Sequence, residues 1–146
     1  IIKRSGFTPR TKFNKKVSLI KFHPDFNPKI IDFLIKDGYK GIIIEGTGLG
    51  HISSECFESI RKATSEAIVC MTSQCLWGRT RMTVYDIGRE LLKIGVIPLQ
   101  DILPETALVK LMWTLGNFHG NNQCKETMIK NIAMEYSERS LINNSK

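Results

Sequence analysis

One stretch decides the fold of this chain: Gly41-Ile-Ile-Ile-Glu-Gly-Thr-Gly-Leu-Gly-His51. Its three consecutive isoleucines show no polar alternation, which is typical of a strand that is covered on both faces. The glycines that follow at every second position predict a loop with positive φ angles or close backbone approach. A buried strand that runs into such a loop indicates a central strand of a parallel sheet, and ligands of such sheets bind at the carboxyl ends of the strands.

Strand and helix patterns alternate on both sides of this stretch. The predicted strands are residues 17–22, 41–45, 67–71 and 96–99. The last of them contains Pro98, which cannot donate to a strand ladder and therefore favours an edge position. We expect an α/β fold with a small, four-stranded, mainly parallel sheet and helices on both of its faces.

Five helices are predicted from capping residues and apolar periodicity. The first begins at Asn27 and Pro28, the second is capped by Ser53 or Ser54, and the fourth spans residues 104–115. The third and the fifth are predicted from two apolar stripes, Val84, Ile87, Gly88, Leu91 and Leu92 for the third and Met128, Ile129, Ile132, Ala133 and Tyr136 for the fifth.

The length of 146 residues is enough for one domain with its own core. We expect a basic linker or arm at residues 1–16, the α/β domain at 17–118, and a terminal helix with a disordered tail at 119–146. Because the chain begins with isoleucine, we expect it to be a piece of a longer protein.

Positive charge is concentrated at the amino terminus. The net charge is +7, and six basic residues with no acidic residue lie within the first sixteen positions. The rest of the chain is therefore close to neutral, which argues against a nucleic-acid module as such. The arm is interpreted as a solvated lead-in from a preceding domain; the alternative is a contact with tRNA or another acidic surface.

Composition also narrows the environment of the protein. The sequence has no apolar run near 18 residues and no leader pattern, so we expect neither a membrane span nor a signal peptide. Its cysteines and histidines lack metal-binding spacing, so no metal or cofactor is expected in this chain. Free cysteines in apolar stretches indicate a reducing cytoplasm.

Two polar loops follow neighbouring predicted strands and must emerge at the same carboxyl edge of the sheet. With the start of the third helix they form a candidate site of seven residues: Thr47, Leu49, His51, Thr72, Ser73, Gln74 and Tyr85. Each also has a purely structural interpretation. His51 could be a turn residue, residues 72–74 could satisfy loop backbone, and Tyr85 could belong to the core.

A nucleotide-binding module is the alternative of a different class. Gly46, Gly48 and Gly50 follow a strand and precede a helix, as in dinucleotide-binding domains. Their spacing is G-x-G-x-G, whereas the dinucleotide fingerprint is G-x-G-x-x-G, and no Gly-Lys-Ser/Thr occurs. A purely structural dimerisation domain is a third possibility.

Five segments in this order and spacing resemble the C-terminal domain of the L-asparaginase family of amidohydrolases. They are residues 21–24, 41–51, 71–79, 82–89 and 103–113. Within that family the chain is most similar to the asparaginase-like subunits of archaeal tRNA-dependent amidotransferases. The alternative within the family is the C-terminal domain of a type I L-asparaginase.

The resemblance implies a protein of two α/β domains whose first domain carries a threonine nucleophile. The threonine-glycine-glycine-threonine and glycine-threonine-aspartate-threonine motifs of that domain are absent here. We therefore expect no catalytic residue in this chain and no activity from the chain alone. By similarity, His51 takes the place of an asparagine that contacts substrate, and Tyr85 that of a glutamate that supports the nucleophile's tyrosine partner.

The resemblance also implies partners. These are the protein's own N-terminal catalytic domain, a second copy in a homodimer, and a kinase/transamidase subunit that uses ATP and magnesium. Contact with tRNA would then be indirect. Whether glutamine or asparagine supplies the ammonia stays open.

Overall fold

Four parallel strands form one sheet in the order β1-β2-β3-β4. The computed structural model describes residues 8–137. The strands are β1 (Val17–Lys21), β2 (Gly41–Gly46), β3 (Ile68–Ser73) and β4 (Ile97–Pro98). The helices are α1 (Lys29–Lys36), α2 (Phe57–Glu66), α3 (Asp86–Lys93), α4 (Pro104–Asn117) and α5 (Asn121–Ile129), with a 3₁₀ turn at Ser54–Cys56. The predicted fold class is confirmed, and β4 with Pro98 lies at an edge.

The apolar run of β2 is explained by its two faces. Ile42 and Ile44 pack against α1, α2 and α3, whereas Ile43 between them packs against α4 and α5. All three isoleucines are buried because successive side chains of a strand point to opposite faces and both faces are covered here. Such a strand needs a helical layer on each side, which is the three-layer arrangement observed.

Two of the predicted helix caps are present. The side chain of Asn27 accepts a hydrogen bond of 3.0 Å from the backbone of Lys29, although α1 itself begins one residue after Pro28. The hydroxyl of Ser53 accepts from the backbone of Glu55 at 3.3 Å and caps the 3₁₀ turn that leads into α2. Polar groups at these two starts satisfy N–H donors that have no partner within the helix.

The apolar stripe predicted for the third helix is only partly buried. Gly88 and Leu91 face the core, but Val84 and Ile87 are exposed. Val84 precedes the helix, which begins at Asp86, and Ile87 lies in the exposed first turn. Periodicity alone could not locate this boundary, so the predicted burial of Val84 and Ile87 is wrong.

The prediction for the last helix is also wrong. Helix α5 ends at Ile129, close to where the predicted stripe begins, and Ile132 is exposed in irregular chain. The buried residues of α5 are Cys124, Thr127 and Met128, and two of these join the core cluster under α4. The compact part therefore extends beyond residue 118, because α5 completes the cover over β3 and β4.

Residues 8–16 of the predicted arm are held against α4. The indole of Trp113 donates to the carbonyl of Arg10 at 2.9 Å, and the amide of Asn117 donates to that of Lys12 at 2.7 Å. The backbone of Asn14 donates to Met112 at 2.8 Å. A free, solvated lead-in is therefore wrong for these residues, while residues 1–7 and the tail predicted to be disordered at 141–146 lie outside the described range.

A buried ion pair holds the segment after α5 onto α4. Lys110 and Glu135 lie 2.5 Å apart, with side chains only 7% and 6% exposed. Lys110 also donates to the carbonyl of Lys130 at 2.6 Å. Burial alone would raise the pKa of Glu135, but the hydrogen bonds from Lys110 and from the backbone of Ala133 and Ile132 outweigh it and lower the pKa to about 2.

The lowered pKa of Glu135 predicts a loss of stability in acid. The ordinary pKa is 4.5, so the contribution is fully present above that pH and is lost as the pH falls towards 2. It amounts to about 3 kcal/mol at neutral pH. Denaturant unfolding of the chain should show the difference between wild type and Glu135→Gln shrinking between pH 6 and pH 3.

The exposed carboxylate of Glu126 on α5 offers the matched control for this measurement. Glu126→Gln removes the same charge without touching the buried pair, so its effect on unfolding should stay small at every pH. A difference between wild type and Glu135→Gln that is the same at pH 3 and pH 6 would contradict the linkage. No helix within residues 8–137 combines the length and the apolar character that crossing a bilayer requires.

Candidate functional site

The glycine-rich loop closes on itself directly after β2. Thr47 and His51 exchange two backbone hydrogen bonds of 2.9 Å, and the hydroxyl of Thr47 donates to the carbonyl of His51 at 3.2 Å. Gly48 and Gly50 take φ angles of 51° and 98°, in the left-handed region that favours glycine. This turn fixes the position of the His51 side chain relative to the end of the strand.

Gly46 is required by close packing. A Cβ atom at this position would lie 2.7 Å from the sulfur of Met71 and 2.9 Å from the carbonyl oxygen of His51. The prediction that backbone geometry explains the loop glycines is therefore confirmed. Because the N–H groups of Thr47, Gly50 and His51 are bonded within the loop, they do not form a phosphate cradle of the nucleotide-binding type.

The loop after β3 is tied to the ends of β1 and β2. The side-chain amide of Gln74 donates to the carbonyls of Phe22 and Glu45 at 2.5 and 3.0 Å. Thr72 is fully buried and donates to the carbonyl of Ile44 at 3.3 Å. These two predicted site residues use their polar groups to hold the three strand ends together, which is the structural alternative considered for them.

Ser73 connects the two loops to each other. Its hydroxyl donates to the carbonyl of Gly48 at 2.5 Å and accepts from the backbone N–H of Cys75 at 3.0 Å. The backbone of Arg81 in turn donates to the carbonyl of Leu49 at 2.9 Å. The loops that were predicted to share the carboxyl edge of the sheet are therefore in direct contact.

His51 and Tyr85 face each other at this edge. Their ring centroids are 5.1 Å apart with planes inclined at 62°, an edge-to-face arrangement that is worth about 1 kcal/mol. Tyr85 occupies the N-cap position of α3 and is 56% exposed. Arg89 fixes that position, since its guanidinium donates to the carbonyls of Thr83 and Val84 and pairs with Asp86.

The imidazole of His51 carries a nitrogen with no partner in the described part of the chain. Nε2 is buried and forms no hydrogen bond with residues 8–137. A buried polar atom in this state costs about 1–3 kcal/mol relative to a hydrogen-bonded one. Such a group marks a place where a further hydrogen-bonding partner fits.

Large apolar side chains surround this pair, and sequence reasoning did not select them. The apolar rim consists of Leu76 and Trp77 in the loop after β3 and Val84 and Ile87 beside Tyr85. Trp77 is 93% exposed. The signal in the sequence was a leucine and a tryptophan inside an otherwise polar, glycine-ended loop, a combination that is typical of a protein contact surface.

Basic groups near the site have separate roles. Arg79 lies 3.5 Å from Asp101 and 3.4 Å from the side-chain oxygen of Gln100, so it connects the loop after β3 to the loop after β4. Arg81 is exposed and forms no ion pair with any residue of the described range. Burial raises the pKa of the Cys70 thiol to about 12, which makes this central cysteine a packing residue.

The parallel sheet, its two helical layers and the looped carboxyl edge define an α/β domain with a candidate ligand-binding edge. Residues 16–128 match the Glutaminase/Asparaginase C-terminal domain, and the chain belongs to that family. The predicted resemblance to the L-asparaginase family is thereby confirmed, and with it the preference for this family over a nucleotide-binding module.

Curated relatives are named as one subunit of glutamyl-tRNA(Gln) amidotransferase. The protein of Pyrococcus furiosus is 54% identical over 125 residues, which cover 85% of this chain and 28% of the relative. That of Metallosphaera sedula is 50% identical over 135 residues, covering 92% and 31%. The chain thus spans about three tenths of the length of these relatives.

Solved structures show the same fold. The thermostable L-asparaginase from Thermococcus kodakarensis superposes with a TM-score of 0.81 at 28% identity, over 95% of this chain and 45% of the other. L-asparaginase I from Vibrio cholerae has a TM-score of 0.82 over 91% of this chain and 41% of the other. At 24% identity the second comparison supports the fold alone.

Proposed function

We propose that the full-length protein is the ammonia-producing subunit of an amidotransferase that converts Glu-tRNA(Gln) to Gln-tRNA(Gln). This domain would complete the glutaminase site across the interface of a homodimer. The name shared by relatives at 50–54% identity supports the reaction. The structure contributes the residues through which this domain would act.

The unpartnered Nε2 of His51 is the observation that carries the proposal. It lies at the carboxyl edge, in contact with an exposed tyrosine and between two loops that hold each other in place. A second subunit that brings its substrate to this edge would supply the missing hydrogen bond. His51 would then orient the substrate, and Tyr85 would hold the imidazole at a fixed angle.

The other predicted site residues divide into two groups. Thr47, Leu49 and Tyr85 present exposed or half-exposed surface beside His51 and would line the completed site. Thr72, Ser73 and Gln74 would act by holding the loops, since their polar groups are already hydrogen-bonded. This division refines the set predicted from the sequence.

The apolar rim supports a contact between subunits at the same edge. Leu76, Trp77, Val84 and Ile87 would be buried against the N-terminal domain of the second copy and exclude water from the substrate. The nucleophile would come from that N-terminal domain. The carboxyl edge of this chain would contribute binding and orientation, which act on the reaction through geometry.

Further partners follow from the proposed reaction. Ammonia released from glutamine would pass to a kinase/transamidase subunit that activates glutamate on tRNA(Gln) with ATP and magnesium. We place this reaction in the cytoplasm, with which the free thiols of Cys56, Cys70, Cys75 and Cys124 are compatible.

Ammonia release tests the proposal. The full-length protein should release ammonia from glutamine, whereas the 146-residue chain alone should release none, because the nucleophile would lie outside it. An enzyme-coupled ammonia assay on both proteins decides this. Turnover by a clean preparation of the chain would contradict the assignment of catalysis to another domain.

A type I L-asparaginase is the second candidate, favoured by the superposition on the Thermococcus kodakarensis enzyme at 28% identity. The two candidates differ in substrate and in dependence on a partner. An amidotransferase subunit should support glutamine-dependent amidation of Glu-tRNA(Gln) once its partner subunit is added. An asparaginase should instead hydrolyse free asparagine and leave the tRNA unchanged.

A further inference from the structure

The amino edge of the sheet, opposite the candidate site, carries a group of basic side chains on a fixed backbone. The arm passes so close to α4 that a Cβ atom on Gly116 would lie 2.5 Å from the carbonyl oxygen of Lys12. The carbonyl of Lys16 then accepts from Lys40 at 2.8 Å, which joins the arm to the start of β2. The backbone that presents these side chains is therefore ordered by the fold.

Four side chains form what we call the basic edge: Arg10, Lys12, Lys15 and Lys40. All four are exposed. The guanidinium of Arg10 is held 4.4 Å above the ring of Phe118, which itself packs edge-on against Trp113. Along the arm, Arg10 and Lys15 are at most roughly 17 Å apart, a span that covers several successive phosphates of a nucleic-acid strand.

Acidic residues at this edge leave the four charges uncompensated. Asp37 is bound by Lys16 at 2.7 Å, and Glu90 by Lys93 at 2.5 Å. Glu66 lines a shallow groove together with Lys36 and Lys62. Arg10, Lys12, Lys15 and Lys40 form no ion pair with any residue from 8 to 137.

We propose that the basic edge binds the phosphate backbone of RNA. The choice of RNA as the polyanion rests on the proposed function, whereas the charge pattern stands independently of it. Contacts of this kind are independent of base sequence and position a nucleic acid without reading it. The basic edge and the candidate site would then let one domain hold RNA at one end and complete an ammonia-producing site at the other.

Salt-dependent binding tests this proposal in the full-length protein. The probe is a fluorescein-labelled transfer RNA transcript, and its anisotropy is followed at several potassium chloride concentrations. The variant Lys12→Glu/Lys15→Glu should bind at least tenfold more weakly at about 0.1 M salt. The slope of log affinity against log salt should fall by about 2, one for each phosphate that the variant no longer neutralises.

A variant of equal charge change serves as the control. Lys29→Glu/Lys130→Glu alters two exposed lysines at the start of α1 and after the end of α5, towards the carboxyl edge. It should keep the wild-type affinity and salt slope. Thermal unfolding of both variants establishes that the arm substitutions leave the fold intact.

The possible outcomes separate the two proposals. Equal weakening of both variants would show an effect of net charge alone and overturn the basic edge, as would unchanged binding in both. Loss of association with the partner subunit at unchanged RNA affinity would make this edge a protein contact and also overturn the proposal. Ammonia release should be unaffected by Lys12→Glu/Lys15→Glu, so absence of ammonia from the wild type refutes the proposed function without touching RNA binding.

Discussion

Replacing His51 by alanine in the full-length protein should lower kcat/KM for glutamine hydrolysis by about tenfold or more. Nε2 of His51 is buried at the carboxyl edge without a hydrogen-bonding partner in the described chain. In the completed site it would bind the substrate from the facing subunit. A tenfold loss corresponds to about 1.4 kcal/mol of transition-state stabilisation.

Two further variants sharpen this measurement. His119→Ala removes an exposed imidazole at the amino edge and should leave ammonia release unchanged. Tyr85→Ala should also reduce kcat/KM, and the double variant should lose less than the product of the single losses, because the two rings are in contact. Wild-type kinetics and dimerisation in both single variants would reduce this edge to a structural surface.

Replacing Gly88 by alanine should destabilise the chain by about 2–3 kcal/mol. In an exposed helix the same change stabilises by up to about 1 kcal/mol, so the sign itself is the test. A Cβ atom at position 88 would lie 2.3 Å from the carbonyl oxygen of Met82. Backbone cannot yield as a side chain can, so α3 would have to move away from the residues that precede it.

The matched control is Gly41→Ala. There the added Cβ would meet the side-chain ends of Leu111 and Leu115 at 2.7 and 3.0 Å, and these ends can rotate. Denaturant unfolding should rank the two variants, with Gly88→Ala the less stable. In the full-length protein Gly88→Ala should also reduce glutaminase activity, because α3 carries Tyr85 at its start. A Gly88→Ala chain as stable as wild type would contradict the observed packing.

The core of the fold follows from local patterns in the chain. Ile42, Ile43 and Ile44 required cover on both faces of β2, and the glycines after them required a tight loop at its carboxyl end. Both features are present, because burial on two faces and positive φ angles restrict the residue types at single positions. The meeting of two loops at one edge follows in the same way, since parallel strands end on the same side.

Tertiary contacts decided the rest. Thr72 and Gln74 looked like site residues, but the strand ends beside them needed donors for the carbonyls of Ile44, Phe22 and Glu45. Leu76 and Trp77 stand exposed, although their composition alone suited a core equally well. These outcomes depend on which groups lie opposite one another in the folded chain.

The last helix and the arm show the physical reason for this division. Helix α5 is placed by the open flank of β3 and β4 that Cys124 and Met128 cover, and its own sequence is only weakly amphipathic. The arm is ordered by side chains of α4 about a hundred positions later in the chain, which donate to its carbonyls. Periodicity and caps act within a few residues, whereas such contacts join distant segments and exist only once the sheet and its helices have assembled.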